Sequence, residues 1–113
     1  MGIRTRMVVV GLVCMVTSVH AESPPPLDEA IKQAAAARKP LLIEFGAQWC
    51  APCKEFEART LPSPSVKEAL KGVVFVRYDA DDNVGERAAR KLGISSYPTF
   101  LVLDASGTEV VRQ

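Results

Sequence analysis

Two cysteines three positions apart, Cys50 and Cys53, have the spacing of a thiol–disulfide redox pair. They lie in the segment WCAPCK at residues 49–54, which follows an apolar run and is expected to open a helix. Residues i and i+3 share one face of a helix, so the two sulfurs can form a disulfide or separate as thiols with little backbone movement. The amides and dipole at a helix N-terminus favour an anion. We therefore expect Cys50 to be the attacking thiolate and Cys53 to resolve the mixed disulfide.

A structural disulfide, a metal site and a non-catalytic binding module are the alternative interpretations of this pair. A disulfide across two residues closes too small a loop to remove much entropy from the unfolded chain, which argues against a structural staple. Structural zinc takes four protein ligands, and residues 22–113 contain no third cysteine and no histidine, so we expect no metal or other cofactor. A Cu(I)-handling dithiol stays open as an alternative. A pure binding module would need neither the complete cysteine pair nor Trp49 beside it.

The first 21 residues have the pattern of a secretory signal peptide. Arg4 and Arg6 give a basic start, residues 7–19 form an apolar run of 13, and small residues precede a cleavage position after Ala21. An uncleaved membrane anchor is the alternative, but 13 apolar residues fall short of the roughly 20 that span a bilayer. We therefore predict export to the periplasm or secretion.

Removal of the signal peptide would simplify the chemistry of the mature chain. It takes away Cys14 and His20, so Cys50 and Cys53 become its only cysteines, in a compartment where disulfides persist. Residues 22–113 keep 12 of the 14 basic residues and all 13 acidic ones, a formal charge of −1. That balance argues against nucleic acid or an anionic membrane as a partner.

An alternation of helices and strands places the cysteines in an α/β fold. A proline-rich linker at 22–26 precedes one domain at 27–113. In chain order we predict a helix at 27–38, a strand at 41–45, helices at 54–59 and from 65 or 66 to 70, a strand at 73–78, a helix at 84–92, a strand at 99–103 and its hairpin partner at 108–112. A parallel β-α-β unit followed by a hairpin predicts a sandwich, with the cysteine helix at the carboxyl end of a central strand, where such sheets place their sites.

Three spaced motifs match one known family: FGAQWCAPCK at residues 45–54, YPTF at 97–100, and Gly107 in the closing hairpin. On these residues the chain resembles thioredoxin-like proteins over 27–113, and it looks most like exported members, including the C-terminal domain of the membrane thiol-disulfide interchange protein. The resemblance implies a three-layer sandwich with a mixed central sheet. It also implies a monomeric oxidoreductase that acts on protein disulfides and receives electrons from a membrane or soluble thiol donor.

The resemblance also implies roles for residues near the cysteines. Pro98 would follow a cis peptide bond beside the pair, and the exposed backbone of Tyr97 would pair with an extended substrate chain. Trp49 would be a flat surface against which substrates rest. The alternatives are a half-buried aromatic in a turn for Tyr97 and ordinary packing at a strand end for Trp49.

Glu44 occupies the strand position at which this family often carries a buried acid that relays protons to the resolving thiol. Burial in an apolar strand would raise its pKa toward the working range. Arg77, at the matching place in the next strand, could pair with Glu44 and pull that pKa back down. A structural Glu44–Arg77 pair is therefore the alternative to a proton relay.

The dipeptide between the cysteines, Ala51-Pro52, is close to the Gly-Pro of reducing thioredoxins, and no histidine stands there to stabilise the Cys50 thiolate. We therefore predict a reductant or a disulfide-exchange intermediate rather than a strong oxidant. The family's last helix does not follow the final strand before Gln113. We expect a domain that is incomplete at its C-terminus.

Overall fold

A computed structural model describes Gly2 and residues 23–113. Apart from Gly2, the predicted signal peptide with Cys14 and His20 lies outside the described residues. Within the described part of the chain, no helix has both the length and the apolar character needed to cross a membrane.

Residues 23–113 form a four-stranded mixed sheet. Its strands are β1 (Leu41–Gly46), β2 (Val74–Asp79), β3 (Thr99–Leu103) and β4 (Glu109–Arg112), in the spatial order β2-β1-β3-β4. β1 pairs in parallel with β2 and antiparallel with β3, and β3 pairs antiparallel with β4. The predicted β-α-β unit, the closing hairpin and the mixed central sheet are therefore confirmed.

The described residues include four α-helices: α1 (Leu27–Ala37) before β1, α2 (Ala51–Glu55) and α3 (Pro64–Leu70) between β1 and β2, and α4 (Asn83–Leu92) between β2 and β3. α2 continues directly into one π-helical turn, Phe56–Thr60, which the sequence pattern did not predict. The helix predicted to start at 65 or 66 begins at Pro64 instead. Proline fits the first helical turn because the N–H it lacks would have no partner there.

One face of the sheet builds the main core against α1 and α4. Alternate strand residues point to this face, so Leu41, Ile43 and Phe45 of β1 are buried together. Leu27, Ala30 and Ala34 of α1, spaced three and four apart, form the apolar stripe that covers them. The ring of Tyr78 is also buried in this core, and its hydroxyl donates a 2.7 Å hydrogen bond to the carbonyl of Pro25 in the predicted linker.

The opposite face carries the other strand residues and packs against α2 and the π-helical turn. Phe56 meets Phe100 edge to face, with ring centroids 4.8 Å apart. Leu42, Phe75 and Phe100 line an apolar groove of about 540 Å³ beside α3 on this side. Helices on both faces give the three-layer arrangement that was predicted, and β1, buried along nearly its whole length, lies at its centre.

Candidate active site

The two cysteines lie where β1 ends and α2 begins. Cys50 is the N-cap residue of α2, and Cys53 lies one turn into the helix. Their sulfurs are joined in a disulfide, with the Cα atoms 5.3 Å apart. Both side chains are nearly inaccessible, with 3% of Cys50 and none of Cys53 exposed.

The backbone of α2 already favours negative charge on Cys50. The N–H of Cys53 donates a 3.2 Å hydrogen bond to Cys50 Sγ, as expected of an N-cap acceptor. Once the disulfide is opened, the same amide and the helix dipole would stabilise a Cys50 thiolate. Cys53 lies inside the helix rather than at its N-terminus. The helix would therefore stabilise a thiolate at Cys50 more than one at Cys53.

An aromatic pair stands beside the disulfide. Trp49 is 66% exposed, and its ring meets Tyr97 nearly at right angles, with centroids 5.8 Å apart. Tyr97 packs against the small buried cluster that contains both cysteines and Ala47. The peptide bond between Tyr97 and Pro98 is cis, as the family resemblance implied.

Glu44 lies beneath Cys53, on the sheet face that α2 covers. Its side chain is completely buried, and neither carboxyl oxygen has a hydrogen-bond partner among the described residues. A Cβ placed on Gly46 would lie 3.5 Å from Cys53 Sγ and 3.6 Å from Glu44 Oε1. The Cys53 sulfur and the Glu44 carboxyl therefore flank the same small space beside Gly46.

Burial raises the pKa of Glu44 to about 7. Arg77, whose Nε lies 3.5 Å from Glu44 Oε2, acts in the opposite direction, and the nearby Glu57 carboxylate raises the pKa further. Desolvation thus outweighs the ion pair. Both effects were open from the sequence, and in the structure burial has the larger one.

Glu57 was missed by the sequence argument, which assigned it no role. It lies on the π-helical turn and accepts a hydrogen bond from Arg77 Nη2. Lys54 also approaches it, with 3.8 Å between Nζ and Oε2. A signal was present in the spacing, because Glu57 follows Cys50 by seven residues and Cys53 by four, so a helix places all three on one face.

A polar rim, which the sequence argument also missed, links α2 to the end of β2. Lys54 Nζ donates to Gln48 Oε1 at 2.9 Å, and Gln48 Nε2 donates to Asp79 Oδ2 at 3.3 Å. These contacts fix the turn that presents Trp49. Across residues 23–113, no group of three or more histidine, cysteine, aspartate and glutamate side chains is arranged to hold a metal ion.

Among protein families, a model described as thioredoxin-like matches residues 22–105. The chain is 37% identical over 86 residues to the thiol:disulfide interchange protein DsbD of Cronobacter sakazakii, an alignment that covers 74% of this chain and 15% of that protein. The DsbD protein of Klebsiella pneumoniae is 39% identical over 85 residues, covering 74% and 14%. The chain therefore matches only about one seventh of the length of these relatives.

Among solved structures, the chain is similar to a thioredoxin from Thermus thermophilus. The TM-score is 0.67 at 26% sequence identity, and the superposition covers 78% of this chain and 71% of the thioredoxin. The similarity thus extends from the cysteine segment to most of the domain.

Proposed function

The chain belongs to the thioredoxin-like family of thiol-disulfide oxidoreductases, and from this premise we propose that it reduces or exchanges protein disulfides through Cys50 and Cys53. The observation that carries the proposal is the Cys50–Cys53 disulfide at the N-terminus of α2, with Trp49 exposed beside it. The similarity to proteins named for thiol:disulfide interchange supports the same chemistry.

The reaction follows from the different positions of the two sulfurs. The Cys50 thiolate attacks a substrate disulfide: a bond forms to one substrate sulfur, the substrate S–S bond breaks, and the other substrate sulfur leaves as a thiolate. Cys53, once deprotonated, attacks Cys50 Sγ, so the Cys50–Cys53 disulfide forms and the first substrate sulfur leaves. Two electrons pass to the substrate, whose sulfurs take up protons. A membrane or soluble thiol donor restores the dithiol by the reverse exchange.

Glu44 accepts the proton of Cys53 in this scheme. A thiol with no exposed surface needs an internal acceptor, and Glu44 flanks the same space around Gly46. Its pKa of about 7 matches the requirement for a group that both takes and releases a proton near neutral pH. Replacing Glu44 by Gln should flatten the pH dependence of disulfide exchange near pH 7, and an unchanged profile would remove the relay from the mechanism.

Trp49, Tyr97 and Pro98 form the substrate surface. The exposed indole gives an extended chain a flat contact beside the reactive sulfur, and the backbone at Tyr97 offers strand-like hydrogen bonds on the other side. The substrates are therefore protein disulfides in accessible, extended segments. The pattern of the first 21 residues supports export, and we propose that the exported domain acts as a monomer.

Reduction of insulin by the dithiol form tests the proposal. The wild-type domain should reduce insulin, Cys50→Ser should abolish the activity, and Cys53→Ser should accumulate a mixed disulfide with substrate. Activity that survives replacement of both cysteines would overturn the proposal. The same variants test the two alternative functions. A Cu(I)-binding protein would lose metal binding when either cysteine is replaced. A non-catalytic binding module would still bind its partners when both cysteines are replaced.

A further inference from the structure

Two carboxylates compete for one guanidinium beneath the cysteine helix. Glu44 on β1 stands directly opposite Arg77 on β2 in the strand register. Glu57 approaches the same Arg77 from the π-helical turn. Exposure rises outward through the group, with 0% of the Glu44 side chain, 18% of Glu57 and 38% of Arg77 accessible.

Arg77 is shared unequally between the two acids. Its Nη2 donates a hydrogen bond to Glu57 Oε1. Its Nε lies 3.5 Å from Glu44 Oε2, and no hydrogen bond joins them. Hydrogen bonds from N–H to oxygen fall at about 2.7–3.2 Å, so Glu44 receives only a through-space attraction from this cation.

We propose that Glu57 is a positioning residue for disulfide exchange: by holding the Arg77 guanidinium toward the protein surface, it keeps Arg77 from pairing fully with the buried Glu44. This inference rests on the proposed function, in which Glu44 exchanges a proton with Cys53. Glu57 touches neither the sulfurs nor the substrate. Apart from the direct repulsion between the two carboxylates, it acts on Glu44 through Arg77.

The competition sets the pH at which Glu44 can work. A full hydrogen-bonded pair with Arg77 would hold Glu44 ionised and unable to carry a proton at neutral pH. Without Arg77, desolvation would keep Glu44 protonated and unable to accept one. An arginine that is near Glu44 but not hydrogen-bonded to it lets Glu44 both accept and release a proton. Burial and Glu57 raise the pKa of Glu44, and Arg77 lowers it.

The groups that face Glu44 come from each element packed against it. β2 supplies Arg77, the π-helical turn supplies Glu57, and α2 supplies Cys53. On the remaining side, β3 places Phe100 opposite Glu44, which does not titrate. In the oxidised protein Cys53 does not titrate either, so Glu44 can be followed without interference from the thiols.

The test is the titration of the Glu44 side-chain carboxyl, followed by carbon NMR in the oxidised domain. Glu57→Gln should lower the midpoint by about one pH unit, because Arg77 is released to Glu44. Arg77→Gln should raise it. In the Arg77→Gln background, Glu57→Gln should move the midpoint less than half as far as in the wild type, since the coupling runs through Arg77.

Glu55→Gln is the matched control. Glu55 lies two residues before Glu57, is exposed, and pairs with Arg59 at 3.4 Å rather than with Arg77. This variant should leave the Glu44 midpoint unchanged. The inference is overturned if Glu57→Gln leaves or raises the midpoint, or lowers it equally with and without Arg77.

A second measurement needs no change at Arg77, in case its replacement prevents folding. In Glu57→Gln, the Arg77 Nε–H should exchange with water more slowly above the Glu44 midpoint than in the wild type, because it then bonds to the carboxylate. Equal exchange in both proteins would contradict the inference. These outcomes leave the proposed function standing, because the activity of the cysteine variants tests that function separately.

Discussion

At the scale of single residues, Glu44 links the chemistry of the site to the stability of the domain. An acid buried in an apolar strand favours its neutral form, and here burial outweighs the nearby Arg77 and raises the pKa to about 7. The ordinary value is 4.5, so between these two values the folded state binds more protons than the unfolded state. Stability conferred by protonated Glu44 is therefore lost as the pH rises through this interval.

The free energy of unfolding of the oxidised domain should accordingly fall from pH 5 to pH 7, with a contribution from Glu44 of at most about 1.4 kcal/mol per pH unit. Glu44→Gln should remove this contribution, because an amide does not ionise, and should be the more stable protein at pH 8. Urea unfolding at a series of pH values measures the effect. A wild type that gains stability between pH 5 and 7 relative to Glu44→Gln would contradict this account of Glu44.

Trp49 offers a second prediction at this scale. Its indole is 66% exposed, so Trp49→Ala should change stability by less than about 0.5 kcal/mol. Loss of the substrate contact should raise the KM for insulin about fivefold, with little effect on exchange with oxidised glutathione, which is too small to need it.

Val110→Ala is the control for this change, since Val110 is 60% exposed on β4 and lies outside the cysteine cluster. It should alter neither reaction. An equal loss of activity toward both disulfides in Trp49→Ala would show that Trp49 supports the cysteines rather than the substrate.

At the scale of elements, α4 packs closely against the end of β2 at Asp79, the last residue of the polar rim. A Cβ on Gly85 would lie 1.9 Å from the carbonyl oxygen of Asp79, so no side chain fits between the helix and the strand end. Asp79 in turn accepts from Gln48 in the turn before the cysteines. A shift of α4 would therefore displace Asp79 and its hydrogen bond to the turn before the cysteines.

Gly85→Ala should therefore destabilise the domain by about 3 kcal/mol, because backbone must move to admit one methyl group. Gly72→Ala is the matched control: the nearest atom to its added Cβ is 3.6 Å away, an ordinary contact. Chemical denaturation compares the two variants. Equal stabilities would show that α4 shifts without cost, against the packing described here.

The order and type of the elements could be predicted because each left a local pattern in the sequence. β1 is a short apolar run, and α1 has an apolar stripe between Pro26 and the left-handed Arg38 at its end. The π-helical turn at Phe56–Thr60 left no such pattern. That turn carries Glu57, the residue proposed to position Arg77.

At the scale of the whole molecule, two of the contacts that escaped prediction join distant segments. Arg77 lies 20 residues from Glu57, and neither residue type nor spacing connects them. Tyr78 lies 53 residues from Pro25, whose carbonyl accepts its hydroxyl. The cysteines and Trp49 were predictable because they share one turn of chain.

The fold and the chemistry together predict a domain that passes electrons to other disulfides. The parallel β-α-β unit sets Cys50 at a helix N-terminus and Glu44 beneath Cys53, and the hairpin strand β3 follows the Tyr97–Pro98 turn beside them. The dipeptide between the cysteines resembles that of reducing members of the family. We therefore predict that electrons flow from the Cys50–Cys53 dithiol to its substrates.

The equilibrium potential of the Cys50–Cys53 couple against glutathione tests this account most directly. We predict a reversible two-electron equilibrium between about −270 and −180 mV, the range from thioredoxin to protein disulfide isomerase. A potential near that of a strong oxidant, about −120 mV, or a disulfide that does not equilibrate with glutathione, would contradict it.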